Sequence, residues 1–315
     1  MVTYGRGYSG TVPGRHTLFD MSEIQTTGRR REVGAELKRI RQQTDEPAYK
    51  VAAKLGWTAS HISRSEAGKR RVTDVDAGHY LGICDAPDAE LQEILKIVNE
   101  PDEYRLQLHE GGLPDELRSL TFHENTCTQM RSFEPIYIPG VVQTANYARA
   151  LFLAGGRIDP PKIEGLVQAR RARSRVLDKL KPSNCMFFVH EHALRSPVGG
   201  PRVMNEQIMH LLFIGDRPEC AIRVVPASAG APGMACGPFL IFGYKEDPAL
   251  VFLEHTTTSE FLENDHEVAN YRNILSRVAS VALDGARSRE FLAELAGDYE
   301  RLGDAQGDAG GLAEE

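Results

Sequence analysis

Residues 50–71, KVAAKLGWTASHISRSEAGKRR, decide how the first part of the chain folds. Val51, Ala52 and Leu55 share one side of a short helix, and Gly56 suits the left-handed residue that ends one. Trp57 fills the angle between two helices. Thr58 is a helix N-cap, with a hydroxyl placed to accept from an otherwise orphaned backbone N–H. The next helix, Ala59 to Ala67, turns Ile62 inward and leaves Ser60, Ser63 and Arg64 outward. Gly68 closes it, and the basic triplet Lys69, Arg70 and Arg71 follows at once.

Working outward, Val33, Leu37 and Ile40 make one apolar stripe on a helix from about Arg30 to Gln43. Pro47 fits the first position of the second helix, where its missing N–H costs nothing. Thr73 or Asp74 caps a fourth helix carrying Val75, Tyr80 and Leu81. A fifth follows Pro87, with Leu91, Ile94, Leu95 and Val98 on one face. Five short helices make a compact all-α module. Residues 1–28 show no sustained period and are expected as a disordered leader, with Met21 an alternative start to Met1.

The charge of −7 is an average over two unlike parts. Between Arg29 and Arg71 there are 12 basic and 5 acidic side chains, whereas residues 72–315 hold 23 basic and 37 acidic ones. A basic module on an acidic body points to nucleic acid as the partner of the basic part. The five cysteines form no CxxC pair, which suits a reducing cytoplasm. No apolar run is long enough to span a bilayer.

The string KVAAKLGWTASHISRSEAGKR, within residues 31 to about 98, resembles the XRE-type (Cro and phage-repressor-like) helix-turn-helix domain. The resemblance implies that the third helix enters the major groove. Ala59, Ser60 and Arg64 then lie at base edges, with Thr58 and His61 close to the backbone. Lys69, Arg70 and Arg71 are expected to touch phosphates, which gives affinity without a sequence code. Arg41 and Glu66 match a family pair that ties the first helix to the reading helix, a structural role. Two positions depart from the pattern. Ala48 stands where the family has glutamine, with Tyr49 and Lys50 beside it, and Lys50 is counted among the DNA contacts. Ser65 replaces a large apolar residue, which predicts a looser core beneath the reading helix. The arginines Arg29, Arg30 and Arg31 read either as a flexible DNA-binding arm or as a solvated helix start.

Residues 101–113 lose periodicity and contain Pro101, Gly111 and Gly112, so they are expected as a linker between a module at 29–100 and a larger domain at 114–302. In the latter, helices are predicted from Pro114 to about Met130, over QTANYARALFLA and from Pro160 to Leu180. FEPIYIPG reads as a short extended segment. CMFFVH (185–190), CAIRVVP (220–226), PFLIFGY (238–244) and ALVFLEH (249–255) are strands, the last two a hairpin. Two helices, 263–283 and 288–302, precede a tail at 303–315 expected to be disordered. The fold class is α+β, with a mixed or antiparallel sheet of four to five strands.

FEPIYIPGVVQTANYARALF, EHALRSPVGGPRVMNEQIMHLL, IRVVPASAGAPGMACGPFLIFGY and VFLEH resemble the domain that follows the helix-turn-helix in WhiJ-like regulators of actinomycetes. That likeness implies a cytoplasmic transcriptional regulator, a homodimer on double-stranded DNA. It also implies an antitoxin-like arrangement with a small partner protein encoded nearby, or a small-molecule ligand. Two functions stay open: a regulator proper, or an interaction protein that mainly sequesters its partner. It implies no catalytic residue. His190-x-His192 would put two imidazoles on one face of a strand, and Glu191, Glu254, His255, His266 or Cys236 would have to complete a metal site. There is no H-E-x-x-H and no closely spaced third ligand, so neither metal nor other cofactor is expected, nor an enzyme.

Overall fold

Thr27 opens the first helix: its side chain accepts a hydrogen bond from the Arg30 N–H. The computed structural model describes residues 26–100, 105–107, 114–156, 158–181, 184–234, 236–255 and 258–311. Five helices come first: α1 (Gly28–Gln43), α2 (Ala48–Leu55), α3 (Ala59–Glu66), α4 (Asp74–Ile83) and α5 (Asp88–Asn99). They close over Leu37, Ile40, Val51, Ile62, Tyr80 and Ile97. Gly56 takes the left-handed conformation after α2, and Thr58 and Thr73 cap α3 and α4. Pro47 sits one place earlier than expected, as the N-cap of α2. Most of the expected leader, residues 1–25, lies outside the described residues. Its last three residues are structured, since α1 starts at Gly28 and the Thr26 hydroxyl donates to the Gly68 carbonyl at 2.7 Å.

The larger part runs β1 (Arg105–Gln107), α6 (Pro114–Thr126), β2 (Gln129–Glu134), α7 (Ala145–Gly155), α8 (Pro160–Arg173), β3 (Cys185–His190), α9 (Glu191–Arg195) and α10 (Pro201–Gly215). It then continues β4 (Cys220–Val225), β5 (Phe239–Gly243), β6 (Leu250–Glu254), β7 (Thr258–Leu262), α11 (Asp265–Val281) and α12 (Gly285–Gly311). One mixed sheet forms in the order β1-β7-β6-β5-β2-β3-β4. β2, β3 and β4 are parallel; β2–β5, β5–β6, β6–β7 and β1–β7 are antiparallel. Met130, Phe187, Val224 and Phe242 on one face bury against α10 and α12. Phe133, Phe188, Ile241 and Val251 on the other bury against α11. Alternation of the two sets along each strand follows from the period of two.

The α+β class holds, and four details differ from the sequence reading. The sheet has seven strands rather than four or five: β1 is only three residues long, and β7 turns Ser259 inward beside Phe261, so its alternation is not written in apolar residues. The helix expected to reach Met130 stops at Thr126, and the extended segment begins at Gln129 rather than Phe133. The helix expected to reach Leu180 is α-helical only to Arg173 and tightens to a 3-10 turn over Ser174–Asp178. α12 runs to Gly311, through nine residues expected as a disordered tail. Gly303 is buried against Arg202 of α10, and a helix anchored there adds one hydrogen bond per further residue.

The first turn of α1 is packed onto the larger part. The Gly28 N–H donates to Glu263 Oε1 at 2.7 Å. Arg31 lies 4.3 Å over the Tyr244 ring and 3.7 Å from Asp247. Glu32, 1% exposed, accepts from Arg118 Nε at 3.1 Å and from the Ser119 hydroxyl at 3.0 Å, both on α6. Arg29 is 3% exposed and paired with Glu100, and Arg31 is 8% exposed. These two arginines are therefore neither a free arm nor a solvated helix start. Their partners lie far along the chain and supply the counter-charge that burial demands.

Candidate nucleic-acid interface

The α3 helix is eight residues long and presents two unlike sides. Ile62 and Ser65 are buried. Ala59, Ser60, Ser63 and Arg64 are exposed, with Thr58 at the start and Lys69, Arg70 and Arg71 beyond the Gly68 turn, all exposed. The structure thus leaves the expected reading residues on α3 exposed, and the expected phosphate contacts exposed in the segment that follows it. Lys50 is also exposed, one helix earlier, beside Tyr49 at 66% exposure. Ala48 is half-buried and offers no polar group at that corner.

The Thr58 Oγ1 accepts from the His61 N–H at 3.1 Å, so the first turn is closed by side chain rather than by water. His61 is half-buried and stacks flat on Trp57, with ring centroids 3.9 Å apart and planes 7° from parallel. The sequence placed Trp57 in the interhelical angle and His61 near the backbone. Their stack was not read, although an aromatic four residues before a histidine across a cap was the available signal.

The Arg41–Glu66 pair is a bidentate fork. Nε meets Oε1 at 2.7 Å and Nη2 meets Oε2 at 2.8 Å, while Nη1 donates to the Glu46 carbonyl at 3.1 Å. Tyr80, read only as an apolar core residue, donates its hydroxyl to Glu66 Oε1 at 2.7 Å. Burial works against the Glu66 carboxylate, but Arg41 and Tyr80 together outweigh it and hold the group below its ordinary value. A depressed carboxyl stabilises the fold above the unfolded-state pKa and loses that contribution as pH falls through the folded value. Glu66→Gln should therefore cost roughly 3 kcal/mol at pH 7 and flatten the acid limb of stability from the ordinary carboxylate range downward. Urea melts at several pH values read this directly, and parallel wild-type and variant curves would refute it.

Ser65 does not loosen the core. It is fully buried, and its hydroxyl has no hydrogen-bond partner among the described residues. Here α1 and the end of α3 approach so closely that a Cβ on Gly34 would stand 2.5 Å from the Ser65 carbonyl oxygen. A larger side chain at 65 would have to share that crossing. Gly34 was passed over in the sequence, yet a glycine inside a helical pattern marks a close backbone approach.

The remaining candidates fall elsewhere. His190 ends β3 and caps α9, its Nδ1 accepting from the His192 N–H at 3.0 Å. His192 stands on the helix, so the two imidazoles do not share a strand face, and the Nδ1 lone pair is already used. Glu191 accepts from the Ala227 N–H at 2.8 Å and from Arg195. The small-residue loop after β4 folds into two 3-10 turns, Ala227–Ala229 and Ala231–Gly233. All five cysteines are free thiols, four of them buried. Among the described residues no helix is long and apolar enough to cross a membrane.

A family model described as a helix-turn-helix domain matches residues 32–94, which covers α1 after its first four residues, α2 to α4 and the first seven residues of α5. A second, described as a domain of unknown function (DUF5753), matches residues 117–294, from α6 into α12. No curated protein matches the chain. The first match agrees with the exposed, capped α3 and its basic border as a DNA-binding unit, and the second takes in more than half of the chain. The chain belongs to the DUF5753 family and carries a helix-turn-helix domain ahead of that domain.

Proposed function

We propose that the chain is a cytoplasmic, sequence-specific DNA-binding transcriptional regulator of the XRE type, not an enzyme. Its α+β domain dimerises and binds a small partner protein or ligand. The observation that carries the reading is the exposure of Thr58, Ala59, Ser60 and Arg64 on a helix whose other side is core, with Lys69–Arg71 exposed in the segment after it. A helix of this size fits the major groove, and the Arg64 fork matches the two acceptors of a guanine edge. One α3 offers two small readers and one arginine. Such a sparse edge supports two copies on half-sites about one helical turn apart.

The test is a pair of substitutions on duplexes selected by the protein itself. Arg64→Ala should weaken selected DNA by about 1–3 kcal/mol and random DNA much less. Lys69→Ala should weaken both alike and reduce the salt slope by about one. Sedimentation of the complex should give two copies of the chain per duplex. Unchanged affinity of Arg64→Ala for selected DNA would sink the base-reading role.

A further inference from the structure

His61 is set up differently from the other groups on the α3 border. Its backbone N–H is fixed by Thr58, and its ring lies flat on Trp57, the single tryptophan of the chain. Trp57 in turn leans on Tyr80 at 6.4 Å, and the Tyr80 hydroxyl is tied to Glu66. The imidazole therefore stands on a platform rooted in the core, at the capped end of the reading helix. Long lysine and arginine side chains lose rotamer freedom when they grip a phosphate. A ring already stacked loses little, so its position is decided before DNA arrives.

The charged groups facing this ring are Arg64 from its own helix, Arg70 from the segment after Gly68, and Asp76 from α4. Trp57 comes from the turn before the helix. Burial first, then Arg70 and Arg64, hold the imidazole below its ordinary pKa against the pull of Asp76. Free protein at neutral pH thus presents an uncharged ring. Duplex DNA reverses the field: its phosphates engage Arg70, the base edge engages Arg64, and the backbone adds negative charge beside the ring, which favours the imidazolium. The indole face beneath it also favours a cation.

We propose, resting on the DNA-binding reading above, that His61 is a proton-linked contact to the DNA backbone, held in place by its stack on Trp57, so that DNA binding takes up a proton from solvent. The proton goes to the ring nitrogen that meets the phosphate, and no bond other than N–H is made. The consequence is affinity that rises as pH falls through the range where histidine titrates. Sequence plays no part in this contact, so a random-sequence duplex is a sufficient probe.

The experiment measures binding of that duplex by the full-length protein from pH 8 to pH 5.5 at constant salt. A pKa rise of about one unit on binding predicts roughly a fivefold gain in affinity across the range, short of the tenfold limit that would be reached well below the free-protein value. His61→Gln, which keeps a polar side chain, should lose most of that gain, read as the slope of affinity against pH rather than as affinity at any one pH. Two measurements need no variant. Calorimetric titrations in buffers of different ionisation enthalpy should show proton uptake near pH 6.5. Trp57 emission, quenched by a protonated ring stacked on it, should titrate at a higher midpoint with DNA bound than without. Equal pH slopes for wild type and His61→Gln, or an unmoved Trp57 midpoint with no proton uptake, overturn the proposal and leave DNA binding intact. Failure of the wild type to bind duplex at any pH overturns the underlying reading and this proposal with it.

Discussion

Gly34→Val should displace the reading helix from the helical domain and cost more than about 3 kcal/mol, a large share of the 5–15 kcal/mol that holds a typical domain. A Cβ at Gly34 would stand 2.5 Å from the Ser65 oxygen, 2.7 Å from the Glu66 oxygen and 2.8 Å from the Gly68 nitrogen. All three are backbone atoms, so no rotamer change relieves the clash. The opposing side is equally committed: Gly68 sits at φ 70°, and a Cβ there would meet Arg31 Cα at 2.7 Å. Trp57, inside the same domain, reports its unfolding in urea without interference from another tryptophan. Gly34→Ala separates sterics from propensity. Alanine is the better helix former by about 1 kcal/mol, so a freely accommodated methyl group would raise stability. The contact distances require the opposite sign. A Gly34→Ala protein as stable as wild type would mean that the close crossing of α1 and α3 does not exist in solution.

That crossing marks the line between what the sequence shows and what it conceals. Thr58 and Gly56 were legible, and Thr73 as one of two candidates with Asp74, because a cap is a local device: side chain and backbone partner lie within three or four residues. The β5–β6 hairpin was legible for the same reason. The Arg41–Glu66 fork came from the likeness to helix-turn-helix domains, since nothing in the spacing of 25 residues announces it. Arg29 and Arg31 defeated local reading. A run of three arginines at a helix start looks solvated, and their partners Glu100, Tyr244 and Asp247 are supplied by elements that fold back from far downstream. His190 shows the converse error. A two-residue histidine spacing suggests ligands on one strand face, but β3 ends at the first histidine and a helix begins at the next residue. Charge and periodicity thus marked a basic helical module and the likeness to helix-turn-helix domains named its candidate DNA-binding edge, while the contacts that fix it to the α+β domain needed the tertiary structure.

One of those contacts, Glu32 with Arg118 and Ser119, is held by α6, and Arg173→Met should damage it from behind. Arg173 of α8 grips Glu124 of α6 through two bonds, Nε to Oε2 at 2.8 Å and Nη2 to Oε1 at 2.6 Å. The Glu124 side chain is 1% exposed and that of Arg173 8%. Removing the arginine leaves a carboxylate in the interior without this counter-charge, for which a loss of about 3–5 kcal/mol is expected. Replacing both partners, as Arg173→Met with Glu124→Leu, removes the desolvated charge as well and should return most of that loss, because a buried pair contributes little beyond an apolar pair of similar volume. The double-mutant cycle should therefore be strongly non-additive. α6 also carries Ser119 and Arg118, which hold Glu32 of α1, so its loosening should reach the helix-turn-helix domain. Hydrogen exchange then gives a second readout: amides in the first turn of α1 should lose protection in Arg173→Met and regain it in the double variant. Additive losses, or a single variant within 1 kcal/mol of wild type, would show that the pair is solvated and that α6 does not brace α1. The expected pattern, with protection of α1 following the state of a residue on α8, would give the α+β domain a physical route to the orientation of the reading helix.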